Sequence, residues 1–100
     1  NIVELGILVL SGPGEGSKQR FNKFPISLGR YPGNDIVITD NIVSRRHAVL
    51  AIEGDDLTLI DLDSMNGTYV NGSRVLSTLP IVDNDLIVIG RTELRISICK

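Results

Sequence analysis

Ser44 and His47, three residues apart, pair a hydroxyl with an imidazole, the two groups from which acyl-transfer chemistry builds a nucleophile and its base. The surroundings do not support that use. Gly-x-Ser-x-Gly is absent, the pair sits where a turn enters a strand, and a lone His beside an apolar strand more often serves its own neighbourhood as a hydrogen-bonding group. Asp61 and Asp63 are paired carboxylates at strand spacing, a pattern compatible with acid/base or metal work. No further ligand cluster accompanies them, so they read as loop-end and turn-forming residues. One His and one Cys, Cys99, are too few for a zinc site made of side-chain nitrogen and sulfur. The expectation is therefore no catalytic residue, no metal and no cofactor.

Phosphate chemistry has two more entry points. Gly12-Pro13-Gly14-Glu15-Gly16-Ser17-Lys18 superficially resembles a nucleotide-cradling P-loop, but that motif needs Gly-Lys-Ser/Thr opening a helix. Here Ser17 separates Gly16 from Lys18, and Gln19 to Leu28 alternates like strand, so a hairpin connection is expected. Asn66-Gly67-Thr68 and Asn71-Gly72-Ser73 match the glycosylation sequon, yet Asn-Gly is also the commonest tight-turn dipeptide. Both lie between strand-like segments, and the turn reading is preferred.

Three clusters remain: Gly29-Arg30, Ser44-Arg45-Arg46-His47 and Ser64-Met65-Asn66-Gly67-Thr68. They contribute a guanidinium fork, a hydroxyl, further arginines and a side-chain amide, the equipment for gripping a phosphate ester and its flanking backbone. Each cluster alone has a plain reading as a strand-end charge, a turn serine or a solvated pair of arginines. Only elements that bring the three to one edge give them joint meaning.

Period-two alternation supplies such elements. It runs through Val3, Leu5, Ile7 and Val9, through Phe24, Ile26 and Leu28, through Ala48, Leu50 and Ile52, and through Leu94, Ile96 and Ile98. Turn chemistry interrupts it at Ser11 to Ser17, Pro32-Gly33-Asn34, Gly54-Asp55-Asp56, Asn66-Gly67, Asn71-Gly72 and Asp83-Asn84-Asp85. The stretch from Asn34 to Glu53 lacks Gly and Pro. Its Ile36-Val37-Ile38 run is β-branched and Asp40-Asn41 reads as a turn, so it is taken as two strands and a loop. About ten short strands without a substantial helix predict an all-β antiparallel sandwich or barrel whose loops carry the function.

Bulk composition narrows the partners. With 100 residues and 42% hydrophobic content, the chain suits one domain spanning 1–100. A formal net charge of −2 supplies no field for wrapping nucleic acid. A single cysteine forbids an intrachain disulfide and suits a reducing, cytoplasmic compartment. Runs such as Ile7 to Leu10 and Leu86 to Ile89 are far shorter than the roughly 20 residues that span a bilayer. With neither an initiator Met nor a basic n-region at Asn1, the chain reads as a domain taken from a longer protein.

Gly29-Arg30, Ser44-x-x-His47 and Asn66-Gly67, followed by Val70-Asn71-Gly72, resemble in order and spacing the signature of the forkhead-associated (FHA) domain. The resemblance covers nearly the whole chain. It implies an eleven-stranded β-sandwich and a non-catalytic module that recognises phosphothreonine in partner proteins. It further implies that Arg30, Ser44 and Arg45 contact the phosphate, Ser44 by both hydroxyl and backbone, and that Asn66 hydrogen-bonds the peptide main chain. Gly29, His47 and Gly67 then shape the loops. The family commonly carries Thr or Ser before Asn-Gly, where this chain has Met65, a residue able to pack on the ligand but without a hydroxyl. Ile42 and Val43, uncharged residues just before Ser44, argue against an acidic preference three positions after the phosphothreonine. The alternative is a phosphate-independent interaction or oligomerisation domain of the same fold.

Overall fold

Alternation builds the two longest strands. The computed structural model describes residues 2 and 4–100. In β1 (Glu4–Ser11) Leu5 and Ile7 are buried, and in β11 (Thr92–Cys99) so are Leu94 and Ile96, while Glu93 and Arg95, of the other parity, are only partly covered. Val3, the first position of the β1 alternation, lies outside the described residues. The two strands pair antiparallel from Glu4↔Cys99 to Ser11↔Glu93, with a register shift between Val9 and Ser11.

Nine shorter strands complete the set: β2 (Lys18–Phe21), β3 (Ile26–Gly29), β4 (Ile36–Val37), β5 (Ala48–Glu53), β6 (Asp56–Asp61), β7 (Thr68–Val70), β8 (Ser73–Arg74), β9 (Thr78–Ile81) and β10 (Leu86–Ile89). They form a six-stranded sheet, β2-β1-β11-β10-β7-β8, and a five-stranded sheet, β4-β3-β5-β6-β9. The inner faces meet in one core that includes Leu5, Ile7, Leu28, Leu50, Leu59 and Ile87. Among the described residues no helix occurs, so none is long and apolar enough to cross a membrane. The sandwich is as expected in class. One ladder departs from the antiparallel pattern: β3 and β4 run parallel, with Leu28↔Ile36 and Gly29↔Val37. Hydrogen bonds from the Ser27 N–H and hydroxyl to Asp35 carry the chain around the intervening loop and let β4 return in the same direction.

The Gly-rich segment after β1 is a hairpin connection closed by the Val9 N–H on the Ser17 carbonyl (2.9 Å) and the Gly16 N–H on the Val9 carbonyl (2.8 Å). The two Asn-Gly pairs differ. Asn71 and Gly72, with φ of 50° and 87°, make the two-residue turn between β7 and β8, where right-handed strand twist favours two left-handed residues. Asn66-Gly67 is not a hairpin. It lies in the loop carrying the chain from β6 in one sheet to β7 in the other. That crossing, the long β4–β5 loop, the β3–β4 loop and the β10–β11 turn meet at one end of the sandwich.

Candidate functional site

The β4–β5 loop, residues 38–47, is fixed by three inward residues. Ile38 and Val43 enter the core, and the Asp40 side chain is fully buried. The Asp40 carboxylate accepts the Arg91 N–H (3.0 Å) and the Ile42 N–H (3.1 Å), and pairs with the Arg91 guanidinium at 2.7 Å. The Arg91 N–H bond is the main reason its pKa lies below the ordinary 3.8; burial opposes this, and the Ile42 N–H and the Arg91 charge reinforce it. With those three anchored, Asn41, Ile42, Arg45 and Arg46 are left facing solvent.

Arg30 follows Gly29 at the end of β3. Its N–H donates to the Ser44 carbonyl (3.0 Å), and the Tyr31 N–H to the Arg45 carbonyl (3.2 Å), so the β3 end is stitched to the loop. The approach is so close that a Cβ on Gly29 would stand 2.2 Å from the Arg45 carbonyl oxygen. Only glycine fits. The Arg30 Nε donates to the Val43 carbonyl at 3.0 Å, orienting the guanidinium and leaving its two terminal nitrogens for a ligand.

His47 is fully buried and joins the two principal loops. Its Nδ1 accepts the Ser44 N–H at 3.1 Å, and Nε2 lies 2.9 Å from the Gly67 carbonyl, to which it donates in the one tautomer that satisfies both contacts. Both ring nitrogens are thereby committed, and neither faces the Ser44 hydroxyl. The Ser44 N–H is committed as well, to the buried imidazole. The hydroxyl oxygen accepts the Met65 N–H at 3.0 Å, and its own proton remains to be donated.

Asp61, at the end of β6, organises the crossing loop. It accepts the Ser64 hydroxyl (2.7 Å), the Ser64 N–H (3.1 Å) and the Thr68 hydroxyl (2.8 Å), and the Ser64 hydroxyl oxygen accepts the Gly67 N–H (3.1 Å). Burial pushes the Asp61 pKa up, but the Ser64 and Thr68 hydroxyls, the Ser64 N–H and His47 together hold it below 3.8. The loop-end role read from sequence thus has a definite form. At the loop tip, the Asn66 Nδ2 donates to the Ile42 carbonyl at 2.7 Å, leaving the amide oxygen and one N–H to face outward.

Between the loops lies an open cleft of about 410 Å³. Arg30, Ser44, Arg45, Met65 and Asn66, the five residues singled out as ligand contacts, all line it. Gly29, His47 and Gly67 are buried beneath. Asn41, Ile42 and Val43 also line the cleft. From sequence Asn41 reads only as a turn residue; the one signal for it is its place in a loop rich in candidate contacts. Among the described residues there is no group of three or more His, Cys, Asp or Glu able to hold a metal. A second hollow of about 330 Å³ opens at the opposite end, by Leu57, Ile81 and Val82, and contains none of the candidate residues.

The FHA domain family model matches residues 26–90, the span from β3 through the end of β10. The chain is 39% identical over 88 residues to the glycogen accumulation regulator GarA of Mycolicibacterium smegmatis, covering 88% of this chain and 55% of that protein. It therefore spans about half the length of this curated relative. Among solved structures, an FHA domain studied for phosphothreonine-dependent interactions superposes with a TM-score of 0.85 at 27% identity, covering 97% of this chain and 98% of the other. EmbR of Mycobacterium tuberculosis, solved with a low-affinity phosphopeptide, gives 0.87 at 29% identity, covering 96% of this chain and 24% of EmbR.

Proposed function

The chain belongs to the FHA-domain family, and from that premise we propose that residues 1–100 form one non-catalytic module that binds phosphothreonine-containing segments of partner proteins in the cleft between loops 38–47 and 62–67. The observation that carries this reading is the convergence of Arg30, Ser44 and Asn66 on one cleft, each held by a protein hydrogen bond that leaves further polar atoms for a ligand. A phosphothreonine brings a charge of about −1.5 to −2 and three strong acceptor oxygens that threonine lacks. The terminal nitrogens of Arg30 and the hydroxyl of Ser44 are its natural donors. With the Ser44 N–H given to His47, the backbone share of the grip falls to the following residue, Arg45. Asn66 offers one acceptor and one donor to the peptide main chain, and Met65, 83% exposed, offers apolar contact alone.

Catalysis gains no support from this arrangement, since the imidazole that would activate Ser44 spends both nitrogens on loop structure. The module fits a cytoplasmic setting of Ser/Thr-kinase signalling or assembly, where its phosphorylated partners arise. It uses no cofactor and makes no direct contact with nucleic acid or membrane. Titration with matched peptides bearing phosphothreonine, phosphoserine, phosphotyrosine or bare threonine, followed by backbone NMR shifts, tests the reading. Shifts around Arg30, Ser44 and Asn66 with phosphothreonine alone are expected. Equal shifts with bare threonine would establish the phosphate-independent alternative instead.

A further inference from the structure

Arg74 stands outside every role so far described. It ends β8, paired with Tyr69 across the β7–β8 hairpin, and the neighbouring Val75 N–H donates to the Thr68 carbonyl at 2.8 Å. The hairpin thus holds residue 74 beside the 66–68 backbone. Gly67, with φ of 85° and no side chain, opens the space the guanidinium occupies: a Cβ there would meet Arg74 Nε at 2.8 Å and Cζ at 3.0 Å. The charged head therefore lies against the residue that follows Asn66, one position along the chain from the cleft lining. Among the described residues the ion pairs are Arg20 with Glu4 and Arg91 with Asp40, and no carboxylate faces Arg74. Its guanidinium donates to no protein acceptor among those residues either, although Arg has five donors to place.

We propose that Arg74 is a second anion contact of this cleft, distinct from the residues holding the phosphate, and that it selects ligands with an acidic side chain beside the phosphothreonine. The inference rests on the phosphothreonine reading above. A peptide whose main chain is engaged by Asn66 lies one residue from Gly67, and a side chain directed to that flank comes within reach of a guanidinium with no internal partner among the described residues. The hairpin fixes the Arg74 backbone, so the side chain starts from a defined position beside Gly67. Arg74 is solvent-exposed, which makes its contribution one of specificity more than of bulk affinity. The plainer role, a side chain that merely covers Gly67, makes a different prediction about ligand charge.

The test is a peptide library with fixed phosphothreonine and randomised flanks, applied to the parent protein, Arg74→Gln and Arg30→Ala. The parent should enrich Asp or Glu at one flanking position, and Arg74→Gln should lose that enrichment while still binding the library. For a single peptide, replacing that acid by its amide should weaken the parent roughly two- to fivefold and leave Arg74→Gln unchanged. Arg30→Ala should lose the whole library, which keeps the phosphate contact separate from the flanking one. The same acid preference in parent and Arg74→Gln, or none in the parent, overturns the proposal. So does an equal loss by Arg74→Gln for the acidic and amide peptides, which assigns Arg74 to packing. A parent that binds no phosphothreonine peptide overturns both this inference and the reading beneath it.

Discussion

The Met65 N–H donates to the Ser44 hydroxyl oxygen across 3.0 Å, joining two loops that lie 21 residues apart in sequence. The bond uses the hydroxyl as acceptor and leaves its proton, the one polar hydrogen of the side chain, available to donate into the cleft that Ser44 and Met65 both line. One side chain thereby tethers the rim and presents a donor to a ligand.

Ser44→Ala removes both functions, and they are measured separately. Loss of one neutral hydrogen bond at a partly exposed rim should lower unfolding free energy by about 1 kcal/mol, because water can replace the lost acceptor. Loss of a donor to a phosphate should weaken phosphothreonine peptide binding by about 1.5 to 3 kcal/mol, the range for hydrogen bonds to charged groups. Calorimetric titration beside a denaturant melt resolves the two numbers. Undiminished affinity would remove Ser44 from the ligand's contacts.

Arg30→Ala should cost roughly 2 to 5 kcal/mol of binding, since it takes one partner from a charge-assisted pair. The fold should persist, because the residue is exposed and among the described residues gives only one side-chain bond, to the Val43 carbonyl. Arg30→Lys is the informative companion. It keeps the charge but loses the planar fork and the Nε donor that orients it, so its affinity should fall between parent and alanine. A lysine variant that binds like the parent would mean that charge alone suffices.

Asp61 makes loop order sensitive to acid. Its folded-state pKa lies below 3.8 because burial, which raises it, is outweighed by the Ser64 and Thr68 hydroxyls, the Ser64 N–H and His47. A depressed carboxylate contributes stability that is complete above the unfolded pKa and disappears as pH falls through the folded one. Stability should therefore hold from neutral pH down to the ordinary Asp value and decline below it. Asp61→Asn should lower stability at neutral pH by about 1 to 3 kcal/mol and flatten that decline. Urea midpoints for both proteins, measured on each side of 3.8, decide the matter; parallel curves would show that Asp61 has no part in the acid response.

Much of this was legible in the chain because its signals are local. The alternation at Leu94, Ile96 and Ile98 needs no knowledge of the partner strand, and Leu94 and Ile96 are buried as that parity requires. Arg30, Ser44 and Asn66 stood out through residue type and order, and they do share a cleft. What escaped depends on long-range placement. Asp40 and Arg91 are 51 residues apart, and neither sequence neighbourhood hints that one buried carboxylate pins a loop to the β10–β11 turn. Asn66-Gly67 and Asn71-Gly72 are the same dipeptide, yet only the second joins paired strands; the first changes sheets, which the local pattern does not encode. The parallel β3–β4 pair escaped for the same reason, being set by how Ser27 and Asp35 meet.

Gly29→Ala gives the most direct test that backbone approach, not only side-chain chemistry, builds the cleft. The added methyl would stand 2.2 Å from the Arg45 carbonyl and 2.8 Å from the Asn34 amide nitrogen. The amide can swing away, but the carbonyl belongs to the loop itself, so the loop must retreat from β3. That retreat strains the bonds from the Arg30 and Tyr31 N–H groups to the Ser44 and Arg45 carbonyls, and displaces Ser44 relative to Arg30. A cost of about 1 to 3 kcal/mol in stability is expected, as for overpacking in a close-packed interior. Binding should be lost out of proportion to stability, because a phosphate bridging Arg30 and Ser44 tolerates little change in their separation. Chemical shifts should change along residues 43–47 and leave β1 and β11 undisturbed. If Gly29→Ala instead binds phosphothreonine peptide as the parent does, the close packing of β3 on this loop has no part in shaping the site.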